Sequence, residues 1–359
     1  MVKFEPMKEI AAIGVMSGTS LDGLDLCFAR FCFNDKRWHF SIEASDTVEY
    51  TAEIKKKLAT AQHMDALTFA TFHKDYGKII GKAAKSFIDK YNLTPDIIAA
   101  HGHTIFHQPA TGFTFQIGCG ANIAAETSIP TICDFRTTDV ALGGQGAPLV
   151  PIGDRLLFAD YDICLNLGGF ANISFEQREQ RVAYDICPVN YVLNHYARLI
   201  GKEYDENGEM ARHGTLHHEL LNALNTLDFY AQKGPKSLGR EWVESQVIPT
   251  IERYEITVND KMHTFCEHVA QQICRQIDMH GAKTGRMLIT GGGVHNTFLR
   301  ERISAHVKAD IVVPDIQIIN YKEALIFAFL GVLYIRNEYN CLSSVTGSSR
   351  DCVGGAMYR

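Results

Sequence analysis

Apolar residues fall in short blocks near the start of the chain. Residues 10–16 (IAAIGVM) read as a buried strand, and alternating stretches at 24–33 and 38–48 read as two more. The period then lengthens, predicting helices over 52–61 and 67–91, before an apolar block at 97–100 that predicts a strand ending in the loop HGHT, residues 101–104. A second cycle opens at residue 163. There CLNL leads into Gly168-Gly169, followed by strands at FANISF and 182–184 and a helix over 189–200. A long helix over 258–280, a strand at 287–289, the run Gly291-Gly292-Gly293 and a helix starting near Asn296 complete it. The apolar run 324–335 is too short to span a bilayer and predicts a buried helix. Strand, glycine turn, strand, strand, helix thus occurs twice without a repeat at residue level. That order predicts two equivalent lobes with glycine turns facing one cleft. The intervening segment 137–154, rich in glycine and proline, reads as a linker or hinge.

Composition narrows the function class. A chain of 359 residues, 46% hydrophobic and 21% charged, can build two cores around a cleft. The formal net charge of −6 argues against nucleic acid or an anionic membrane as a partner and leaves room for a small ligand. Ten cysteines lie singly with no C-x-x-C pair, which favours free thiols, a reducing compartment and a cytoplasmic location. The opening MVKFEPMKEI has neither an apolar core nor a cleavage site of the secretory kind.

Three glycine turns carry the candidate chemistry. GTSLDGLD (Gly18, Thr19, Ser20, Leu21, Asp22, Gly23, Leu24, Asp25) follows a strand, and converging backbone N–H groups in such a turn suit phosphate oxygens. Asp22, with Asp25 second, makes sense there if Mg2+ sits between carboxylate and phosphate. An ordinary hairpin is the competing reading. Gly168-Gly169 repeats the device, and Gly291, Gly292 and Gly293 would let a flat ring approach the backbone. Neither a Walker A loop nor a dinucleotide fingerprint is present. By residue type alone, Asp185 could simply cap the helix that follows it, and Glu323, at the start of the apolar helix, could simply complement the helix dipole. His101, His103 and His107 form H-x-H-x-x-x-H, a spacing that could hold a metal for hydrolysis.

The motifs GVMSGTSLDGLDL, AHGHTIFHQP, DFRTTDVALGGQGAPLVP, LNLGGFANIS, DENGEMARHG, KSLGRE, TGGGVHN and KEALIFAFLGVL occur in an order that resembles the anhydro-N-acetylmuramic acid kinases, over residues 13 to about 355. The resemblance implies an α/β fold of two ribonuclease-H-like lobes of the actin, sugar kinase and Hsp70 type around a central nucleotide cleft. The first lobe is expected over 1–135 and the second over 136–359, with the final segment free to pack back on the first. It implies ATP as phosphate donor, a homodimer, and opening of 1,6-anhydro-N-acetylmuramic acid by water with phosphorylation of its O6. Asp185 matches the family's catalytic base, and Thr104, Arg136 and Glu323 match positions near the sugar. Arg136 could pair with the lactyl carboxylate, for which a bidentate guanidinium is suited. Two departures stand out. DICPVN at 185–190 carries Cys187 and Val189 where the family has glycines, side chains expected to stiffen the turn and crowd a bound sugar or phosphate. His103 replaces a glutamine. A nucleotide- or sugar-binding protein without catalysis, and less so a metallohydrolase, are the rival readings.

Overall fold

The alternation that opens the chain builds an antiparallel meander of β1 (Ile10–Met16), β2 (Gly23–Asn34) and β3 (Arg37–Glu49). The computed structural model describes residues 9–18, 21, 23–232, 236–279 and 285–359. Asp65 starts the helix Ala66–Tyr91 by accepting from the backbone N–H groups of Leu67 and Thr68 at 3.0 and 3.1 Å, and Asn92 ends it in the left-handed region. That helix returns the chain to β4 (Ile97–Ala100), which lies parallel to β1 on the side away from β2. A hairpin of β5 (His103–Gln108) and β6 (Phe113–Ile117) follows, then helix Gly120–Thr127 and β7 (Thr131–Cys133), parallel to β4. The sheet runs β3-β2-β1-β4-β7, with Ala356–Tyr358 added antiparallel beyond β7.

The second cycle repeats this order. β8 (Ile163–Leu167), β9 (Phe170–Gln177) and β10 (Gln180–Pro188) form a meander, and β11 (Arg286–Thr290) and β12 (Asp310–Val312) join β8 in parallel, giving β10-β9-β8-β11-β12. Both sheets place the strands third, second, first, fourth, fifth. This is the ribonuclease-H-like arrangement, present twice. Each sheet has its own core: one around Ile13, Leu26, Phe28, Tyr76 and Ile98, the other around Leu165, Ile173, Tyr196, Phe265 and Leu299.

Compact units divide the chain at Leu157 and Phe158, and Tyr321–Arg359 belongs with Met1–Leu157, so the expected boundary at 135 is displaced. The cause is the segment read as a linker. It folds into helices Thr137–Ala141 and Val150–Leu157, and Asp139, fully buried, accepts from the Gly146 N–H and from the Thr346 hydroxyl at 2.7 Å each. A carboxylate so placed ties 137–157 to the first unit.

The apolar run 324–335 lies in a longer helix, Ile316–Ile335, which is buried from Ala324 to Leu333. Gly14 in β1 explains how closely the helix packs. A Cβ there would lie 1.8 Å from the carbonyl oxygen of Ala324, so only glycine permits the approach. Glu323 therefore sits two turns inside the helix, and its expected place in the first turn is corrected.

Candidate active site

In the first unit, β1 and β4 lie side by side and deliver Ser17 and His101 from adjacent strand ends. Of the expected phosphate turn, Thr19, Ser20 and Asp22 lie outside the described residues. Gly18 accepts from the Leu21 N–H at 3.3 Å, and Leu21 holds φ at 60°. Leu24 is buried in the core, which leaves only its backbone for a ligand, whereas Asp25 is half-buried and accepts from the Thr47 hydroxyl at 2.7 Å.

His101 is buried, and its two ring nitrogens have distinct jobs. Nδ1 lies 2.9 Å from the carbonyl of Gly102, to which it must donate, so Nε2 keeps its lone pair. Arg136 donates to that lone pair from Nε at 3.1 Å and from Nη2 at 2.9 Å, and donates from Nη1 to the carbonyl of Gly146 at 2.6 Å. Burial, reinforced by Arg136, pushes His101 well below the usual imidazole range, which keeps it neutral. Burial also lowers Arg136, to about 10, still protonated at neutral pH, while Glu323 favours its charge. Three of five guanidinium N–H groups are thus engaged, leaving a fixed cation with donors to spare. Arg136 is not the loose surface arginine that its residue type alone allows.

Glu323 senses both Arg136 and Asp25. Crowding by protein raises its carboxyl, and Arg136 opposes this, but the side chain is open to solvent and the upward pull is correspondingly weak. Thr104 lies on β5 opposite Gln116, next to a bulge, and is half-buried. His103 is buried and shares a hydrogen bond of 2.9 Å with the Ser17 hydroxyl, which is 2.6 Å from Tyr50, itself 2.6 Å from Tyr76. Burial lowers His103 to about 4, so it serves as a neutral hydrogen-bonding group. The three histidines do not make a metal centre. Both nitrogens of His101 are committed, and His103 and His107 turn Nδ1 to Ser17 and Thr114.

The second unit gathers the remaining candidates. Asn166 on β8, Asn172 on β9 and Asp185 on β10 lie in register across three strands. Asn166 donates to Asn172 at 3.1 Å, and Asn172 donates to Oδ1 of Asp185 at 2.9 Å. The Leu238 N–H donates to Oδ2 at 2.8 Å. Asp185 does not cap the next helix, whose N-terminal position is Val189 without a side-chain bond. Burial raises the Asp185 carboxyl, and the bonds from Leu238 and Asn172 partly offset this. The result is an oriented carboxylate of enhanced basicity.

Both glycine turns abut this row. Gly291, at φ 86°, packs on the end of β8, where a Cβ would lie 2.6 Å from Oδ1 of Asn166 and 2.8 Å from the carbonyl of Leu167. Gly293 packs against Leu167 as well. The carbonyls of Gly168 and Gly169 accept from the N–H groups of Asn190 and Val189 at 3.3 and 2.8 Å, which locks the turn to the start of helix Asn190–Leu199. A Cβ at Gly169 would meet nothing within 4 Å, and at Gly292 only Asn190 at 3.8 Å, so both peptides stay open to a ligand.

Cys187 and Val189 do not crowd this surface. Both are fully buried in the second core. The expected obstruction is therefore corrected.

Sequence reasoning missed Asn166, Asn172 and the Leu238 backbone. A signal existed: Asn166 and Asn172 are equidistant from Gly169, and a hairpin centred there must set them opposite one another.

The anhydro-N-acetylmuramic acid kinase profile matches residues 10–359. Proteins named anhydro-N-acetylmuramic acid kinase from Vibrio parahaemolyticus and Vibrio cholerae are each 34% identical, over 96% of this chain and 97% of theirs. One from Pseudomonas fluorescens is also 34% identical, over 96% and 98%. Among solved structures, the activator of 2-hydroxyisocaproyl-CoA dehydratase from Clostridium difficile with bound ADPNP is similar at 12% identity, covering 91% of this chain and 97% of that one, with a TM-score of 0.44. With the doubled sheet order and the oriented carboxylate beside two glycine turns, a match over all but the first residues leaves one reading: this chain belongs to the anhydro-N-acetylmuramic acid kinase family.

Proposed function

We propose that the protein is an ATP-dependent kinase that opens 1,6-anhydro-N-acetylmuramic acid with water and phosphorylates its O6, giving N-acetylmuramic acid 6-phosphate and ADP. Family membership supplies the reaction class and the use of ATP. The observation that carries the reading is the row Asn166–Asn172–Asp185, which fixes one carboxylate beside two glycine turns.

The roles follow from the chemistry of each group. Asp185 takes a proton from water as the oxygen attacks the anomeric carbon, and the bond from that carbon to O6 breaks. O6 then accepts the γ-phosphoryl group as ADP leaves, so that water, sugar and ATP are accounted for in the sugar phosphate, ADP and one proton. The bonds from Asn172 and Leu238 hold the carboxylate still, and its raised basicity favours proton uptake. Gly168, Gly169, Gly291, Gly292 and Gly293 receive the nucleotide through backbone that side chains would otherwise cover. Gly18, Leu21, Gly23, Leu24 and Asp25, with Thr19, Ser20 and Asp22 of the same turn, are assigned to phosphate. Arg136 pairs with the lactyl carboxylate through its remaining N–H groups, and Glu323 and Thr104 bond to the sugar.

Mg2+ is assigned to the first turn. Its donors are carboxylates and hydroxyls, hard oxygen ligands that suit this ion, and the half-buried Asp25 is the described member. When bound, the ion neutralises phosphate charge as the γ-group moves.

The family resemblance supports a homodimer, and ten free cysteines support a reducing, cytoplasmic setting. Cys187 and Val189 gave the non-catalytic reading its ground, and their burial removes it. Incubation with Mg-ATP and the anhydro sugar, followed by chromatography of ADP and sugar phosphate, tests the proposal. Equal turnover of the N-acetylglucosamine analogue, which lacks the lactyl group, would sink the muramic assignment.

A further inference from the structure

Cys341 and Cys352 face one another across an isolated antiparallel bridge that closes with both backbone hydrogen bonds, each 3.2 Å. Such a pair holds its Cα atoms about 5.5 Å apart. A disulfide spans roughly 4.4–6.8 Å between Cα atoms, so closure needs a change of side-chain rotamer and little backbone movement. The two sulfurs and a carboxylate oxygen of Asp139 lie within 4.8 Å of one another. All three residues are buried, Cys352 being slightly more exposed than Cys341.

The surroundings favour a thiol pair over a metal centre. Asp139 is already satisfied: Oδ1 accepts from the Cys341 thiol at 3.2 Å and the Thr346 hydroxyl at 2.7 Å, and Oδ2 accepts from the Gly146 N–H at 2.7 Å. A cation there would have to displace donors that hold the segment in place. Oxidation removes both thiol protons, of which that of Cys341 serves Asp139, and leaves the bonds from Thr346 and Gly146 to Asp139 intact.

We propose that Cys341 and Cys352 form a reversible thiol–disulfide site, closed by a two-electron oxidant such as hydrogen peroxide and reopened by a dithiol. The steps balance. Peroxide oxidises the more accessible Cys352 to a sulfenic acid with loss of one water, and the Cys341 sulfur displaces a second water to form the S–S bond. A dithiol returns both thiols and is itself oxidised. Free thiols at rest and a transient bridge under oxidant fit the pattern of redox-sensing pairs in reducing compartments.

The pair reaches the candidate site by a short path. Asp139 holds the N–H of Gly146, whose carbonyl accepts from Arg136. Closure takes one of the three donors from Asp139, so the charge that this carboxylate turns on the Gly146 N–H, and through Gly146 the support of Arg136, changes with it. This consequence for substrate rests on the proposed function; the disulfide itself does not.

The test uses the full chain treated with hydrogen peroxide, digested without reduction and examined by mass spectrometry. A Cys341–Cys352 cross-linked peptide is expected, lighter by two hydrogens than the separate peptides, lost on addition of dithiothreitol and missing in both C341S and C352S. Serine at 341 keeps a hydroxyl donor for Asp139, so folding is preserved, and circular dichroism checks this. If Cys341 and Cys352 peptides stay reduced while the half-buried Cys32, Cys119, Cys133 and Cys274 oxidise, the proposal is overturned. A several-fold rise in KM for the anhydro sugar on oxidation, reversed by dithiothreitol and missing in C341S, is expected for the link to Arg136. A cross-link with unchanged KM overturns that link alone.

Discussion

Asn172 donates its amide to Oδ1 of Asp185 at 2.9 Å from the neighbouring strand, and it is itself held by Asn166 from the strand beyond. A carboxylate fixed from one side by a side chain and from the other by the Leu238 N–H has one set of lone pairs left to act with. Asp185→Asn should lower kcat by more than about 100-fold, the least that a positioned base contributes. Calorimetry should show nucleotide affinity near wild type. Retention of more than about one hundredth of kcat would remove Asp185 from the role of base.

Asn172→Ala removes a bond that lowers the pKa of Asp185, so that pKa rises further. The base works only when ionised, so the acid limb of the kcat/KM profile should move to higher pH, with kcat down roughly tenfold and KM little altered. An unmoved acid limb would show that Asn172 merely supports the sheet.

His101→Ala leaves two Arg136 donors without their acceptor. Bonds to a charged group are worth about 1.5–3 kcal/mol, so KM for the anhydro sugar should rise roughly 10- to 100-fold if the freed guanidinium loses its aim. Arg136→Lys should raise KM similarly, because an ammonium cannot serve His101, Gly146 and a carboxylate together. An unchanged KM in Arg136→Lys would eliminate the lactyl contact.

Gly14→Ala puts a methyl group 1.8 Å from the backbone oxygen of Ala324. Neither strand nor helix can yield cheaply, and a loss of roughly 1–3 kcal/mol or more is expected from overpacking of this kind. Chemical denaturation reads it directly; a wild-type midpoint would mean that the helix slides freely.

His268 is fully buried between Asn225 at 2.8 Å and Tyr230 at 3.0 Å, and burial lowers it to about 3. Its folded pKa is below the unfolded value of about 6.5, so the unfolded chain binds the extra proton between those limits. Stability should therefore fall as pH drops from about 6.5 towards 3, with a slope of up to about 1.4 kcal/mol per pH unit from this residue. His268→Gln should flatten that part of the curve, and an unchanged slope would assign the acid sensitivity to other groups.

Much of this was legible in the chain because local signals agreed with the final packing. The strands Ile10–Met16 and Ile97–Ala100 and the helix Ala66–Tyr91 are marked by period, by Asp65 and by Asn92, all within a few residues. The segment 137–154 was misread because the weight of glycine and proline hides Asp139, whose partners at 146 and 346 are set by tertiary structure. Glu323 was placed too early because Gln317, Asn320 and Lys322 interrupt the isoleucines at 316, 318 and 319, so the unbroken apolar run starts only at Ala324. The pairing of His101 with Arg136 spans 35 residues, and nothing local announces it.

The hairpin β5–β6 occupies the connection between the fourth strand and the next helix of the first unit, where the second unit has only the turn at Gly291–Gly293. The five-strand order is the same in both, so a dozen or more residues can be spliced in at this point without disturbing the scaffold. Under the proposed function, exchange of that insert is expected to alter ligand preference, while the row Asn166–Asn172–Asp185 proposed for the chemistry belongs to the other sheet.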